Sequence, residues 1–297
     1  MTATVADTGL LVLPGRIGDD KPLNLYVLAG RSSWVWVDAG IASTPDDHVL
    51  PYLDAHELRP PDAHLLLVTH CDVDHFGGAA ALRRRFPGLV VLAHAADAAA
   101  IEDRRHLMDR RYRMHRTQGV DPPPERRRQL DERGGPPVRV DVRLRGLEAL
   151  GDGGAWQVLC LPGHSQGHVG AWHAGHRIAV VGDAVLGWGL RDSAGRLVTP
   201  PPYYDVDAYL GTVALLERLE LAELCTSHFG VLRGERIGAF LAECREAVDA
   251  IGAAVAELDP AVGLPDACRA VAARLGRWPA GAELGLADAV VAHRRAP

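Results

Sequence analysis

The chain has 297 residues, of which 47% are hydrophobic and 24% are charged. That length and balance are sufficient for a globular core, and they argue against a disordered or fibrous chain. A formal net charge of −6 argues against nucleic acid as a bulk electrostatic partner. No apolar stretch reaches the ~18 residues that a membrane span needs, so we expect no membrane partner.

The first residues and the cysteines indicate a compartment. Residues 1–7 have neither the basic segment nor the long apolar segment of a signal peptide. The five cysteines are scattered, without a Cys-x-x-Cys pair. These features predict reduced thiols and a cytoplasmic location. Lys21 is the only lysine and lacks a surrounding glycine loop, which argues against a Walker-type phosphate site.

Short strand-like runs and turns alternate over the first 95 residues. Branched and aromatic residues are concentrated in the strand-like runs, and glycines separate them. Strands are predicted at 10–13, 23–28, 34–37, 65–68 and 89–93, and helices at 46–56 and 79–86.

An arginine-rich segment follows. Residues 104–145 contain 13 arginines against six acidic residues, interrupted by proline and glycine clusters. This pattern predicts a helical insertion at about 96–137, hereafter the arginine-rich insertion. It is either a solvated helical surface with internal ion pairs or a basic cap that attracts anionic substrates.

Strand character returns over residues 138–181, and a helix is predicted at 207–219. From residue 235 onward, apolar residues recur at helical spacing along one stripe. We therefore predict a catalytic domain at 1–234, which carries the insertion, and a helical C-terminal extension at 235–297. The stripe would either pack on the core or form a homodimer contact.

Imidazole and carboxylate side chains are most concentrated at residues 69–78, which read Thr-His-Cys-Asp-Val-Asp-His-Phe-Gly-Gly. Two imidazoles (His70 and His75) and two carboxylates (Asp72 and Asp74) lie within six residues, between a predicted strand and a predicted helix. Unpaired charges packed so closely repel and are costly to desolvate, whereas a bound cation converts that cost into a gain. Because His nitrogen and carboxylate oxygen both bind divalent metals, the run predicts a metal site.

Three later residues follow strand-like runs in the same way. Each lies within two residues of a glycine and just after a short apolar run: His164, Asp183 and His228. Any one of them alone is typical of a hydrogen-bonded turn. Together with the run at 69–78, they favour one shared site.

At these positions the chain resembles the metallo-β-lactamase superfamily. Asp38 follows a strand as that family expects, and the resemblance covers about residues 8–232. It departs at one position, where Asp72 replaces the usual second histidine of the His-x-His-x-Asp-His motif. The resemblance implies an α/β fold, namely a four-layered αββα sandwich of two mixed β-sheets flanked by helices.

The resemblance also implies roles for these residues. Two divalent metal ions would be held by two ligand groups and bridged by Asp183, with Asp38 supporting a ligand loop by hydrogen bonding. The first ligand group is His70, Asp72 and His164, and the second is Asp74, His75 and His228. The implied reaction is hydrolysis of a carbonyl bond, most readily a thioester or lactone, by a hydroxide held between the ions. Asp74 would orient that hydroxide or take its proton.

Asp72 bears on which metal binds. Because an extra carboxylate makes the site harder, iron or manganese is expected to compete better with zinc than at an all-histidine site. A site that holds only one ion is the alternative.

Substrate contacts are predicted at Tyr203, Tyr204, His168 and Trp188, each with core packing or turn capping as the alternative. Cys71 is a candidate ligand, but a small half-buried residue is the favoured interpretation of it. The arginine-rich insertion favours an anionic acyl carrier, such as a phosphopantetheine or coenzyme A thioester, over other small-molecule substrates.

Other functions use the same residues. Residues 163–167 form a literal Gly-x-Ser-x-Gly, and Ser165, Asp183 and His228 follow the order of a serine hydrolase. That nucleophile motif needs a helix directly after it, whereas the sequence there reads as strand and turn. An iron-dependent oxidoreductase or dioxygenase of the same fold remains an alternative, as does a scaffold that has lost catalysis.

Overall fold

The computed structural model describes residues 8–18 and 21–295. Residues 1–7, on which the expectation of no signal peptide rests, lie outside that part of the chain. The strands are Leu10–Ile17 (β1), Lys21–Ala29 (β2), Ser33–Val37 (β3), Ala63–Leu67 (β4), Val90–His94 (β5), Val142–Leu144 (β6), Ala149–Leu150 (β7), Trp156–Cys160 (β8), Val169–His173 (β9), Ile178–Gly182 (β10), Leu190–Arg191 (β11), Leu197–Thr199 (β12), Glu223–Thr226 (β13) and Gly230–Arg233 (β14).

The strands form two six-stranded sheets and one two-stranded sheet. The first sheet has the order β1-β2-β3-β4-β5-β6, antiparallel up to β3 and parallel from β3 to β6. The second has the order β14-β13-β10-β9-β8-β7 and is antiparallel except for the parallel β10–β13 pair. Both sheets are therefore mixed, as the resemblance implied.

Helices cover the outer face of each sheet. They are Leu50–Ala55 (α1), Val73–Phe76 (α2), Ala79–Arg85 (α3), Ala95–Glu102 (α4), Arg104–Leu107 (α5), Pro124–Gly134 (α6), Val206–Arg218 (α7), Glu235–Ala256 (α8), Leu264–Leu275 (α9) and Ala287–Arg295 (α10). Single π-helical turns at Pro45–Val49 and Met108–Tyr112 precede α1 and follow α5.

Alternation along the strands explains the layers. In β3, Val35 and Val37 face the second sheet, whereas Trp34 and Trp36 face the helices. Successive side chains of a strand point to opposite faces, so a strand buried on both faces is apolar throughout. The predicted four-layered αββα sandwich is confirmed.

The arginine-rich insertion lies over one end of the sandwich. It comprises α4, α5, a π-helical turn and α6, and Pro124 opens α6 at a position where its missing N–H costs nothing. Many of its arginines are paired within the insertion: Arg113 and Arg127 both contact Asp121. Others, including Arg110, Arg111 and Arg116, line cavities near the candidate site.

The C-terminal helices pack on the chain's own core. Ile237, Leu241, Val248 and Ile251 of α8 are buried with α7, α9 and α10 against the second sheet. The apolar stripe of α8 is thus covered by the same chain. In the described ranges, no helix combines the length and apolar character of a membrane span.

Candidate metal centre

The predicted ligands lie at one edge of both sheets. His70 follows β4, His164 follows β8, Asp183 follows β10 and His228 follows β13. Strands β8, β10 and β13 run in the same direction, so their carboxyl ends meet at that edge. Gly182 allows two of these loops to approach closely, since a Cβ there would lie 2.8 Å from the Thr69 hydroxyl oxygen.

The three atoms of the first ligand group form a small triangle. Asp72 Oδ2 lies 3.3 Å from His70 Nε2 and 3.0 Å from His164 Nε2. The two imidazole nitrogens are 3.1 Å apart. Ligands on a tetrahedral ion with bonds of ~2.1 Å are about 3.4 Å apart, so this triangle fits one cation.

The second ligand group surrounds one Asp183 oxygen. Asp183 Oδ2 lies 3.4 Å from His75 Nε2 and 3.2 Å from His228 Nε2. Asp74 Oδ2 lies 3.7 Å from His228 Nε2 and 3.9 Å from His75 Nε2. Ligand atoms of Asp183, His70 and His75 lie within 4.8 Å of one another, so Asp183 is near both groups.

Several of these buried atoms have no hydrogen-bond partner among the described residues. They are His75 Nε2, His228 Nε2 and Asp183 Oδ1. Buried polar atoms are nearly always satisfied, and an unpaired set that converges on one point is what a bound ion would satisfy. The donor set therefore fits divalent metal ions.

Hydrogen bonds on the far side of each imidazole leave Nε2 available. His75 Nδ1 donates to Asp38 Oδ2 at 2.7 Å, and His228 Nδ1 donates to the Pro22 carbonyl at 3.0 Å. His164 Nδ1 donates to the Pro202 carbonyl at 2.9 Å. Such contacts fix the tautomer and the ring orientation that a metal ligand needs.

Asp38 accepts hydrogen bonds from the loop at Thr69 as well as from the His75 ring. Its backbone has φ of 66°, a left-handed conformation, and its carboxylate accepts from Thr69 N at 2.7 Å and from the Thr69 hydroxyl at 2.9 Å. The supporting position that the resemblance implied for Asp38 is where the structure places it.

Asp97 joins two ligand loops and was missed by sequence reasoning. Its carboxylate accepts from Cys71 N at 3.1 Å, Ser165 Oγ at 2.6 Å and Gly167 N at 2.8 Å. It lies in the alanine-rich helix α4, where no local pattern signals a role. The Cys71 thiol is buried, which raises its pKa, and it belongs to none of the candidate ligand groups.

Arg111 is the second residue that sequence reasoning missed. Its Nε lies 2.7 Å from Asp72 Oδ1 and its Nη2 lies 2.7 Å from Asp72 Oδ2. Burial opposes ionisation of Asp72, but the Arg111 guanidinium outweighs it and holds the pKa of that carboxyl well below its usual value. Thirteen arginines lie in residues 104–145, and nothing in the sequence distinguishes this one.

The histidines differ in protonation. Burial lowers the pKa of His70 well below its usual value, and the neighbouring histidines add to that effect. Burial also acts on His75 and His228, but Asp183 outweighs it and raises the pKa of both. Metal binding in the second ligand group is therefore expected to weaken as the pH falls, because protons and a cation compete for the same nitrogen atoms.

Two predicted substrate contacts are corrected by the structure. Tyr203 is fully buried, and its hydroxyl lies 2.9 Å from His293 Nε2 in the core. Trp188 is 4% exposed and stacks against Arg277 at 3.7 Å. Both are aromatic side chains that pack against the C-terminal extension. Tyr204 instead lines a cavity beside Arg111.

His168 is buried and stacks on His70 with ring centroids 4.7 Å apart. Its Nε2 accepts from Asp183 N at 3.3 Å, while His164 and the Asp183 carboxylate are the other ionisable groups beside it. Burial, then the charge of His70, lowers its pKa well below the ordinary 6.5. Its position supports the Asp183 backbone, and it lines neither of the cavities that adjoin the ligands.

We expect His168 to make the metal-free protein acid-sensitive. Its folded-state pKa is depressed, so below about pH 6.5 the unfolded chain binds a proton that the folded chain does not. Through His168, the free energy of unfolding should fall by up to about 1.4 kcal/mol for each pH unit below about pH 6.5. Above that pH, His168 should leave it unchanged. Urea unfolding at pH 7.5 and 5.5 should show a smaller acid loss for His168→Gln than for wild type. An equal loss in both would contradict this assignment.

Two cavities adjoin the ligands. One of about 700 Å³ is lined by Asp72, Asp74, His164 and Asp183, and residues 279–288 of the C-terminal extension form part of its wall. The other, of about 810 Å³, is lined by polar and basic residues that include His106, Arg110, Arg116, Gln166 and Tyr204. Arg111 and Met114 line both.

The Gly-x-Ser-x-Gly run does not form a nucleophile elbow. Strand β9 begins at Val169, directly after the turn, where that motif requires a helix. The Ser165 hydroxyl donates to Asp97, an aspartate that already binds two backbone amides. Ser165 therefore helps Asp97 to connect the loop at Cys71 with the loop at Gly167.

Comparison with known families agrees with this geometry. Residues 18–228 match the sequence profile of the metallo-β-lactamase superfamily. The chain belongs to that superfamily. Superfamily membership thus covers the span that carries every predicted ligand, and the prediction of a superfamily enzyme is confirmed.

Relatives of known activity are hydrolases. Acyl-coenzyme A thioesterase MBLAC2 of Gallus gallus is 28% identical over 234 residues, which cover 72% of this chain and 75% of that protein. Hydroxyacylglutathione hydrolase of Rhodobacter capsulatus is 27% identical over 206 residues, which cover 68% of this chain and 63% of that protein.

Solved structures share the metallo-β-lactamase fold. A metallo-β-lactamase family protein from Thermus thermophilus has a TM-score of 0.70 at 20% identity, and the match covers 96% of this chain and 91% of that chain. A β-lactamase domain protein from Burkholderia ambifaria has a TM-score of 0.67 at 21% identity, covering 98% and 90%. These likenesses extend over the C-terminal helices as well as the sandwich.

Proposed function

We propose that this metallo-β-lactamase-superfamily enzyme hydrolyses acyl thioesters of an anionic carrier at a divalent-metal centre. The observation that carries the proposal is the clustering of two ligand groups around Asp183, with the Nε2 atoms of His75 and His228 buried and without a hydrogen-bond partner. Bound metal ions would lower the pKa of a water molecule and polarise the substrate carbonyl.

The chain's own residues would position and deprotonate that water. Asp74 lines the cavity over the ligands and contributes one oxygen to the second ligand group. Its carboxylate is thus placed to accept a proton from the attacking water. Because a thiol has a pKa near 8.5, a thiolate leaves with little help from an acid. A site with one carboxylate for proton transfer therefore suits thioesters better than amides.

The neighbouring cavity supports an anionic carrier. Its lining includes His106 and Arg110, together with Arg116, which is paired with Asp109 of the same lining, and it shares Arg111 with the cavity over the ligands. Phosphate groups pair well with guanidinium. The two named relatives act on acyl-coenzyme A and hydroxyacylglutathione, both thioesters of charged carriers, which supports the same class here.

The metal requirement is tested by thiol release from acyl-coenzyme A, S-acylglutathione and S-acylpantetheine, with lactones as a separate class. A chelator should abolish release and added metal should restore it, while Ser165→Ala should retain activity. Activity that survives exhaustive chelation, or is lost only in the Ser165 variant, would contradict the proposal.

The carrier charge is tested with two variants. Acyl-coenzyme A should have a higher kcat/KM than the uncharged S-acylpantetheine, and added salt should narrow the difference. Arg110→Gln should reduce that preference about fivefold, the effect of one partly screened ion pair worth ~1 kcal/mol. The matched control is Arg105→Gln, which removes the same charge from a side chain that is 91% exposed. The carrier assignment would be contradicted if wild type, Arg110→Gln and Arg105→Gln all had the same ratio of kcat/KM for acyl-coenzyme A to kcat/KM for S-acylpantetheine.

A further inference from the structure

We infer that Arg111 sets the metal content of the centre: its guanidinium weakens the first ligand group, so that one divalent ion is held tightly, in the second. This inference rests on the proposed metal-dependent function and adds a stoichiometry to it. The inference also assigns a role to Asp72, the position at which the chain departs from the family pattern.

The geometry places Arg111 on the ligand atoms themselves. Its Nη2 lies 2.7 Å from Asp72 Oδ2 and 3.1 Å from His164 Nε2, which are two of the three atoms of the first ligand group. Its Nη1 lies 3.2 Å from the His164 carbonyl oxygen. A cation held by these same atoms would compete with the guanidinium for the Asp72 lone pairs and would be repelled by its charge.

Charge distinguishes the two ligand groups. With histidines neutral, as metal ligands must be, the first group carries one carboxylate and Arg111 balances it. The second group has Asp74 and shares Asp183, and no arginine contacts either carboxylate among the described ion pairs. A divalent ion in the second group therefore meets two carboxylates that no guanidinium contacts directly, although the charge of Arg133 acts on Asp74 from a greater distance. The carboxylate that belongs to the first group alone, that of Asp72, is paired with Arg111.

Arg111 is fixed where it lies. Its side chain is 10% exposed, and Asp288 Oδ2 of helix α10 lies 3.5 Å from Nη1. His115 Nε2 contacts the other Asp288 oxygen at 2.8 Å. Since arginine stays protonated at all relevant pH values, moving this guanidinium away would leave Asp72 without its guanidinium partner and Asp288 with His115 alone.

The same pairing revises the expected metal preference. An extra carboxylate at position 72 was expected to make the centre harder. With Arg111 counted, the formal charge of the seven predicted ligands returns from −3 to −2, the value that a histidine at position 72 would give. Preference for iron or manganese stays a prediction, but this charge no longer supports it.

The experiment measures metal binding directly. Full-length protein is stripped with a chelator and titrated with Zn²⁺ against a chromophoric competitor, and bound zinc is counted by elemental analysis after desalting. Wild type should retain one ion, with any second ion at least about 100-fold weaker. Arg111→Gln should strengthen the weaker site at least tenfold and retain close to two ions, because Asp72 is left as an unpaired carboxylate.

Arg110→Gln is the matched control. It removes the same charge from the adjacent, exposed residue of the insertion and should leave the stoichiometry at one. Thermal unfolding of each metal-free protein shows whether the variants fold, and Arg111→Lys, which keeps the charge without the two-pronged contact, should give an intermediate affinity.

Two results would overturn the inference. One is wild-type protein that binds two ions with dissociation constants within tenfold of each other, a result that needs no variant. The other is an Arg111→Gln protein that folds but binds the weaker ion no better than wild type, which would make Arg111 a positioning residue for Asp72. Failure of thioester hydrolysis in every protein, with the stoichiometries as expected, would defeat the proposed function and leave this inference intact.

Discussion

Asp183→Asn is expected to lower kcat/KM for thioester hydrolysis by about a thousandfold. Asp183 is the residue that lies near both ligand groups, and its Oδ2 faces His75 and His228. An amide at this position removes the negative charge that a cation there would need. A catalytic metal ion supplies several kcal/mol of stabilisation to the transition state, and ~4 kcal/mol corresponds to a thousandfold. Initial rates with an acyl-coenzyme A substrate provide the measurement.

Asp192→Asn is the control for that change. Asp192 is as buried as Asp183, at 5% against 4% exposure, but it binds Arg196 and the backbone of the turn between β11 and β12. It should keep nearly full activity. If both variants lost activity equally, loss of folding would be the cause, and if neither did, Asp183 would have no part in the reaction.

Asp38→Asn is expected to lower the affinity of the second ligand group for metal by 10- to about 100-fold. Oδ2 of Asp38 accepts a hydrogen bond from His75 Nδ1, so the neutral imidazole carries its proton on Nδ1 and leaves Nε2 free to bind a cation. An amide NH₂ in that place donates instead, so the neutral imidazole carries its proton on Nε2 and cannot bind a cation. Zinc titration of the stripped protein measures the effect.

Thermal unfolding separates this effect from loss of structure. The amide oxygen of Asp38→Asn can still accept from Thr69 N, and its NH₂ can donate to the Thr69 hydroxyl, so the loop connection is kept. The metal-free variant should melt close to wild type. Unchanged zinc affinity in a folded variant would show that Asp38 does not set the tautomer of His75.

The strands and the polar loops that follow them were accessible from sequence because both are local patterns, whereas the αββα sandwich and the ligand roles were implied by the family resemblance that those loops carry. Alternation of apolar residues predicts strands such as β3 and β4, and polar residues just past a strand fall at a sheet edge. The helix predicted at 46–56 is found as a π-helical turn continuing into α1, a difference in hydrogen bonding that periodicity does not distinguish.

The supporting residues could not be predicted, since their partners are distant in the chain. Asp97 meets Ser165 across 68 residues, and Arg111 meets Asp288 from the last helix. Tyr203 and Trp188 were predicted wrongly for the same reason. Both lie near the site in sequence, but helix α10 contacts Tyr203 and the segment that follows α9 contacts Trp188. No short-range pattern reveals what a segment about 90 residues later will bury.

The contact from Asp288 through Arg111 to Asp72 spans three separate parts of the chain. An engineered chimera that grafted the arginine-rich insertion onto a homologous scaffold would transplant a guanidinium without either of its anionic partners. The insertion, the last helix and the aspartate at position 72 therefore form one exchangeable unit, and any redesign of specificity in this scaffold has to move all three together.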